Sequence, residues 1–173
     1  MQEVILVDDQ DVIVGTASKL EAHREGWLHR AFSVFIFNDK GEWLIHQRAD
    51  DKYHSAGLWS NTCCSHPSAG EETLLAANRR LQEEMGLTCD LFPLYSFQYR
   101  IQFDNQLIEH ELDHVFVGQT NQVPTANPLE VKNWRYVAPD ELLHEIHASP
   151  ELFTYWFRLC VPVILEKLSN NFF

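Results

Sequence analysis

Nowhere does the chain carry a run of about 18 apolar residues, so no membrane-spanning helix is expected and no membrane insertion with it. The opening, Met1-Gln2-Glu3-Val4, has neither the basic nor the apolar character of a secretory signal, and a cytoplasmic protein is the expectation. Cysteine is sparse, at positions 63, 64, 89 and 160, with no CxxC pair. That spacing excludes a disulfide framework and a structural zinc site and leaves reduced thiols. Positive charge is also short: 13 Lys and Arg against 25 Asp and Glu give a formal charge of -12. Binding to nucleic acid or to an anionic membrane is driven by cations meeting phosphates, so neither partner fits. A small phosphorylated ligand remains open, because a few local cations or a divalent metal held by carboxylates can grip a diphosphate. Repeats, low-complexity tracts and linkers are missing as well.

What is present is a globular composition, 45% hydrophobic and 12% aromatic over 173 residues, which suits a single domain spanning 1–173. Val4 to Val7 and Val12 to Val14 read as a strand pair around Asp8-Asp9-Gln10-Asp11, ended by Gly15, with helical composition from Thr16 to His23. Leu28 to Phe37 and Trp43 to Gln47 read as a hairpin around Asn38-Asp39-Lys40-Gly41. Ser68-Ala69-Gly70-Glu71 has the pattern of a capping box and predicts a helix from there, with Leu74, Ala77, Leu81 and Met85 at helical spacing and Gly86 as its left-handed cap. Two strands follow, Leu91 to Phe103 and Leu107 to Val117, then a loop over Asn121 to Asn127 and a short strand over Asn133 to Val137. Helices are expected over Pro139 to His144 and Pro150 to Leu168. This order gives a mixed α/β (α+β) domain with strands in hairpins and helices packed outside.

Two stretches concentrate chemistry. Leu58-Trp59-Ser60-Asn61-Thr62-Cys63-Cys64-Ser65-His66-Pro67 places thiols, an imidazole and small polar groups between chain breakers, where loops fixed by rigid elements tend to carry function. The competing reading is buried packing cysteines and a satisfied histidine. In Glu109-His110-Glu111-Leu112-Asp113-His114 the period of a strand puts the three carboxylates on one face and the two imidazoles on the other. Carboxylates stacked in this way repel, and they are tolerated on a solvated edge or beside a cation such as a metal. His23, His29 and His66 are candidate imidazoles for such a metal, whereas His144 and His147 read as surface groups.

Arg79-Arg80-Leu81-Gln82-Glu83-Glu84-Met85-Gly86-Leu87, with Glu71 eight residues before Arg79, resembles the Nudix box, whose glutamates bind the metal that grips a diphosphate. Where that box begins with glycine this chain has Ser65, and where it has glutamate after the first arginine this chain has Arg80. The second departure removes a carboxylate that Nudix hydrolases use and installs a cation able to hold a diphosphate without helping water attack it. Together with the Cys64-to-His66 loop and the Glu109-His110-Glu111 strand, the chain resembles the type I isopentenyl-diphosphate isomerases from about Val4 to at least Trp156.

The resemblance implies a Nudix-like mixed sheet with helices on both sides, and an isomerase interconverting isopentenyl and dimethylallyl diphosphate. It implies a site of His23, His29, His66, Glu109 and Glu111 for one divalent metal (Mn2+, Mg2+ or Zn2+), and Glu84 for a Mg2+ that bridges to the substrate diphosphate. Lys19, Arg48 and Lys52 with Arg80 match the cations for the diphosphate, Cys64 the catalytic cysteine, Glu111 with Tyr99 the partner that exchanges the other proton, and Trp156 the shield of a carbocation. A monomer acting on a small isoprenyl diphosphate is expected. The alternative is a Nudix hydrolase of a nucleoside or other diphosphate.

Overall fold

Alternation along one strand sets out the architecture. In β3 (His29–Phe37), Phe32, Val34 and Ile36 belong to one apolar cluster while Phe35 belongs to another, so the strand is buried on both faces. The computed structural model describes residues 3–170; Met1, Gln2 and residues 171–173, and with them the reading of the first two residues as lacking signal character, lie outside.

Upstream of β3 lie β1 (Glu3–Val7), β2 (Ile13–Ser18) and α1 (Lys19–Glu25); downstream come β4 (Trp43–Arg48), β5 (Trp59–Ser60), β6 (Cys63–Ser65) and α2 (Thr73–Met85). The chain continues through β7 (Leu91–Gln102), β8 (Ile108–Gln119), β9 (Val131–Val137), α3 (Pro139–Ala148), a 3-10 turn at Pro150–Leu152 and α4 (Tyr155–Asn170). All nine strands belong to one mixed sheet. β3 is its hub: β8 runs parallel to it from His29↔Glu111 to Phe37↔Gln119, while β6 pairs antiparallel with it through Ser33↔Cys64.

The two clusters are the two faces of this sheet. Ala76, Ala77, Leu81 and Met85 of α2 pack on Phe32, Val34, Leu44 and Phe116. On the opposite face Phe157, Cys160, Val161 and Ile164 of α4 and Leu142 of α3 pack on Phe35, Ile45, Val115 and Val117. Each fully buried large side chain here contributes roughly 1.5–3 kcal/mol. Among the described residues no helix is long and apolar enough to cross a membrane.

α3 runs on to Ala148 and β9 begins at Val131, each beyond the sequence reading, and three further boundaries differ from it for a visible reason. Gly15 does not end the first hairpin: it pairs with Leu6 inside β2, Thr16 and Ala17 continue the ladder, and Ser18 caps α1 by accepting the Glu21 N–H at 3.2 Å. The capping-box pattern forms only in part. The Glu71 carboxylate accepts the Ser68 N–H at 2.9 Å, but Gly70 sits at φ 77°, outside the helical region, so α2 waits until Thr73. The last helix starts at Tyr155 rather than Pro150, because Phe153 bridges to Trp59 and the Thr154 N–H donates to the Trp59 carbonyl at 2.9 Å. Gly86 behaves as expected: φ is 66°, its N–H donates to the Gln82 carbonyl, and a Cβ there would lie 2.8 Å from the Thr125 carbonyl oxygen.

Candidate active site

β8 carries Glu109, Glu111 and Asp113 on the face that α4 covers, 4%, 6% and 1% exposed. The solvated-edge alternative is thereby corrected. β8 lies between β3 and β7, and a strand with neighbours on both sides has no wet edge. Tyr99 of β7 pairs in register with Glu111, and its hydroxyl donates to Glu111 Oε2 at 2.7 Å and reaches Glu109 Oε2 at 3.2 Å.

Three imidazoles close in from separate elements: His23 from α1, His29 from the first position of β3, and His66 just past β6. With Glu111 they place one donor atom each within 4.8 Å of one another. Glu111 Oε1 lies 2.9 Å from His66 Nε2 and 3.5 Å from His29 Nε2. Burial, with the neighbouring imidazoles, lowers His23 to about 2; burial with the Lys19 charge lowers His66 to about 4. Both rings are therefore neutral, with lone pairs to offer. Burial pushes the Glu111 carboxyl up, but the facing His29 and His66 imidazoles outweigh it and hold its pKa well below the usual carboxylate range. Glu109 goes the other way, raised by burial and by the charge on Glu111.

This donor set fits a divalent cation. Among the described residues, His23 Nε2, His29 Nε2 and His66 Nδ1 are buried without a hydrogen-bond partner, which is costly unless something occupies the space between them. The outward nitrogens are held: His29 Nδ1 donates to the Trp27 carbonyl at 2.9 Å, and His23 Nδ1 lies 2.7 Å from the Tyr53 hydroxyl. Such partners fix the tautomer and aim the free nitrogen inward. Glu109 stands next to the group rather than in it, its Oε1 3.1 Å from His54 Nε2.

Beside this group is a space of about 30 Å³ lined by Cys64, Tyr99, Glu109, Glu111, His54 and Trp156. Cys64 and Glu111 reach it from the strands on either side of β3. Burial outweighs the nearby Arg48 charge and pushes the Cys64 thiol up to about 12, so it is protonated; Arg48 Nη1 lies 3.8 Å from its sulfur. Cys63 points to the α2 face and packs in the core there. Trp156 is fixed by Nε1 donating to Asn61 Oδ1 at 3.1 Å, and Arg48 lies 5.4 Å from its ring.

The same space continues, through Lys19, Arg48, Cys64 and Ser65, into a cleft of about 220 Å³ that also takes in Lys52, Arg80, Glu84 and Glu130. All four cations singled out in the sequence therefore meet here. Among the described residues Lys19 and Arg48 pair with no carboxylate, whereas Lys52 is bound to Glu130, and Arg80 spans Glu84 at 2.6 Å and Glu130 at 3.3 Å. Glu84 is 4% exposed and its pKa is raised by burial. His144 and His147 are exposed, as expected.

Sequence reasoning missed Tyr53, His54, Asn61 as an anchor of Trp156, and Glu130. His54 and Tyr53 follow Lys52 on an irregular segment without periodicity, so only their closeness to that cation hinted at them.

The NUDIX domain family matches residues 27–157. Isopentenyl-diphosphate Delta-isomerase of Pectobacterium atrosepticum is 55% identical over 159 residues, covering 92% of this chain and 89% of its own. The chain belongs to the Nudix superfamily and, within it, to the isopentenyl-diphosphate Delta-isomerases. The Serratia proteamaculans member is 49% identical, with 97% of this chain and 92% of that protein covered. Among solved structures, a Deinococcus radiodurans protein superposes with a TM-score of 0.71 at 21% identity over 85% of this chain and 90% of its own, a likeness of fold.

One prediction arises from a histidine at the edge of the cleft. His46 is buried, donates from Nδ1 to the Asn61 carbonyl, and is lowered to about 4 by burial together with the Arg48 charge. Its folded pKa lies below the unfolded value, so its contribution is full above about pH 6.5 and is lost as pH falls toward 4. Urea midpoints of wild type and His46→Gln, converted to free energies, should converge by about 3 kcal/mol between pH 7 and pH 4. Parallel pH curves would contradict this.

Proposed function

We propose that this chain interconverts isopentenyl and dimethylallyl diphosphate by adding a proton at the terminal methylene and removing one from the carbon two bonds away. The observation that carries the reading is the junction of two environments. A small buried space holding Cys64, Tyr99, Glu111 and Trp156 opens directly into a cleft holding Lys19, Arg48, Lys52 and Arg80.

Protonating an unactivated alkene produces a tertiary carbocation-like state that water would quench. Burial of the pocket excludes water, and the Trp156 face stabilises passing positive charge by roughly 0.5–2 kcal/mol. Lys19 and Arg48, free of carboxylates, receive the diphosphate and hold the five-carbon chain between the Cys64 thiol and the Glu111 carboxylate. The reaction runs both ways, so each of these groups is the acid in one direction and the base in the other. Tyr99 orients Glu111 through its 2.7 Å hydrogen bond.

His23, His29, His66 and Glu111, with Glu109 beside them, would hold the divalent cation, Mn2+, Mg2+ or Zn2+, and Glu84 would serve the Mg2+ of the substrate diphosphate. When bound, these ions supply fixed geometry, a tuned acidity at Glu111 and neutralisation of the diphosphate. Binding at about 100 times Kd stabilises by about 2.7 kcal/mol. At 2–4 °C per kcal/mol for a domain of this size, Mn2+ should raise Tm by roughly 5–10 °C, and His29→Ala or His66→Ala should abolish the rise. An equal rise in those variants would place the metal elsewhere.

Hydrolysis is disfavoured by Arg80, which stands where the Nudix box has a glutamate and so puts a cation in place of a carboxylate. The test is a product assay with Mg2+ and Mn2+ on isopentenyl diphosphate and on nucleoside diphosphate derivatives. Dimethylallyl diphosphate from the first and nothing from the second is expected; the converse would establish a hydrolase.

A further inference from the structure

His54 lines two cavities. One is the alkene end of the site, with Tyr99, Glu111 and Trp156. The other is a separate, solvent-open groove of about 400 Å³, apolar along Leu58, Ile101, Phe103 and Phe153 and polar at Asp104, Glu151 and Arg158. Among the described residues His54 is the one that borders both. Its ring is not on the lining of the cation-lined cleft, which joins the site through Lys19, Arg48, Cys64 and Ser65; Arg48 reaches only its backbone carbonyl, at 3.4 Å, so the ring faces the hydrocarbon side.

The ring is held in place from several directions. It stacks on Phe103 at 4.8 Å with planes 13° apart, meets Tyr53 edge-on at 4.7 Å and Trp156 edge-on at 6.2 Å, and sets Nε2 3.1 Å from Glu109 Oε1. Only about 30 Å³ is free at the alkene end, room for a water molecule or two, so away from the cleft a longer chain has to extend past this ring.

We propose that His54 is the partition that limits the substrate to five carbons, and that the groove behind it accommodates homoallylic diphosphates carrying a longer alkyl group at the branching carbon. The inference rests on the isomerase reading above. The chemistry of a longer homologue is unchanged, one proton added to the methylene and one lost from the neighbouring CH2, so the partition acts on fit alone. One methylene too many in an apolar pocket is discriminated by about 10–200-fold.

The experiment compares kcat/KM on isopentenyl diphosphate and on its homologue with propyl in place of the branch methyl, for wild type, His54→Ala and His54→Leu. His54→Ala should raise the long-to-short ratio by at least about 30-fold, and His54→Leu, which refills the space without the Glu109 contact, should leave it within about threefold of wild type. His54→Ser, equally small, repeats the reading in an independent variant, with Tm recorded for each. An unmoved ratio in the small variants, or the same rise in His54→Leu, overturns the partition. Wild type inactive on the five-carbon substrate would overturn the isomerase reading itself and the partition with it, a result distinguishable from an active wild type with an unmoved ratio.

Discussion

Glu111→Gln is expected to lower kcat by about 10⁴-fold or more, the largest loss from any single change of this kind in the molecule. General acid–base catalysis alone is worth about 10²–10⁴. In the proposed reaction Glu111 combines that role with being the one carboxylate in the four-donor group, so both contributions go together. Glutamine keeps the size and can still accept the 2.7 Å hydrogen bond from Tyr99, so the fold should persist. The facing His23 and His66 rings are neutral, so losing the carboxylate charge strands no buried cation among them. Apo Tm should therefore stay within about 3 °C of wild type, and the rise with Mn2+ should shrink. The decisive pattern is activity and metal response lost together with apo stability kept. Turnover within about tenfold of wild type would remove Glu111 from the proton path.

Cys64→Ala should reduce kcat by about 10²–10⁴-fold, with KM changed by less than about threefold, because in the proposed reaction the thiol exchanges a proton without holding the diphosphate. Its neighbour supplies the control. Cys63 is fully buried where Cys64 is only partly so, and it packs with Ala76, Ala77 and Leu81 on the α2 face, off the lining of the space that Cys64 borders. Cys63→Ala should lose about 1 kcal/mol of stability through the small void it leaves and keep kcat within about threefold. Steady-state kinetics with urea unfolding on both variants separates a chemical thiol from a packing one. Equal kinetic losses in the two would mean that the loop only needs its volume filled.

Much of this site was legible because strands have a period of two. The alternation in Glu109-His110-Glu111-Leu112-Asp113 put the carboxylates on one face without any knowledge of the fold, and that is where they lie. Which face would be dry was not legible, since it depends on the register with β7 that sets Tyr99 against Glu111 and on the packing of α4 over both. Gly86 was readable as a helix end because its φ is a local property. Gly70 shows the reverse case: the Ser68-to-Glu71 pattern is local too, yet a single left-handed residue inside it delays the helix to Thr73. Pro150 began a helix on paper, but a bridge to Trp59 from a distant part of the chain breaks it at Phe153. His54 and Glu130 lay beyond any sequence pattern, because irregular segments place side chains by tertiary contact alone.

The most direct test of proton transfer is a proton and deuterium NMR time course of isopentenyl diphosphate in deuterated water with Mg2+ and Mn2+ present. Wild type should build up dimethylallyl diphosphate carrying deuterium in a methyl group, and Cys64→Ala and Glu111→Gln should show neither product nor label on the same timescale. Product formed without deuterium, or phosphate released with the alkene signals unchanged, would contradict a site built to pass protons between Cys64 and Glu111.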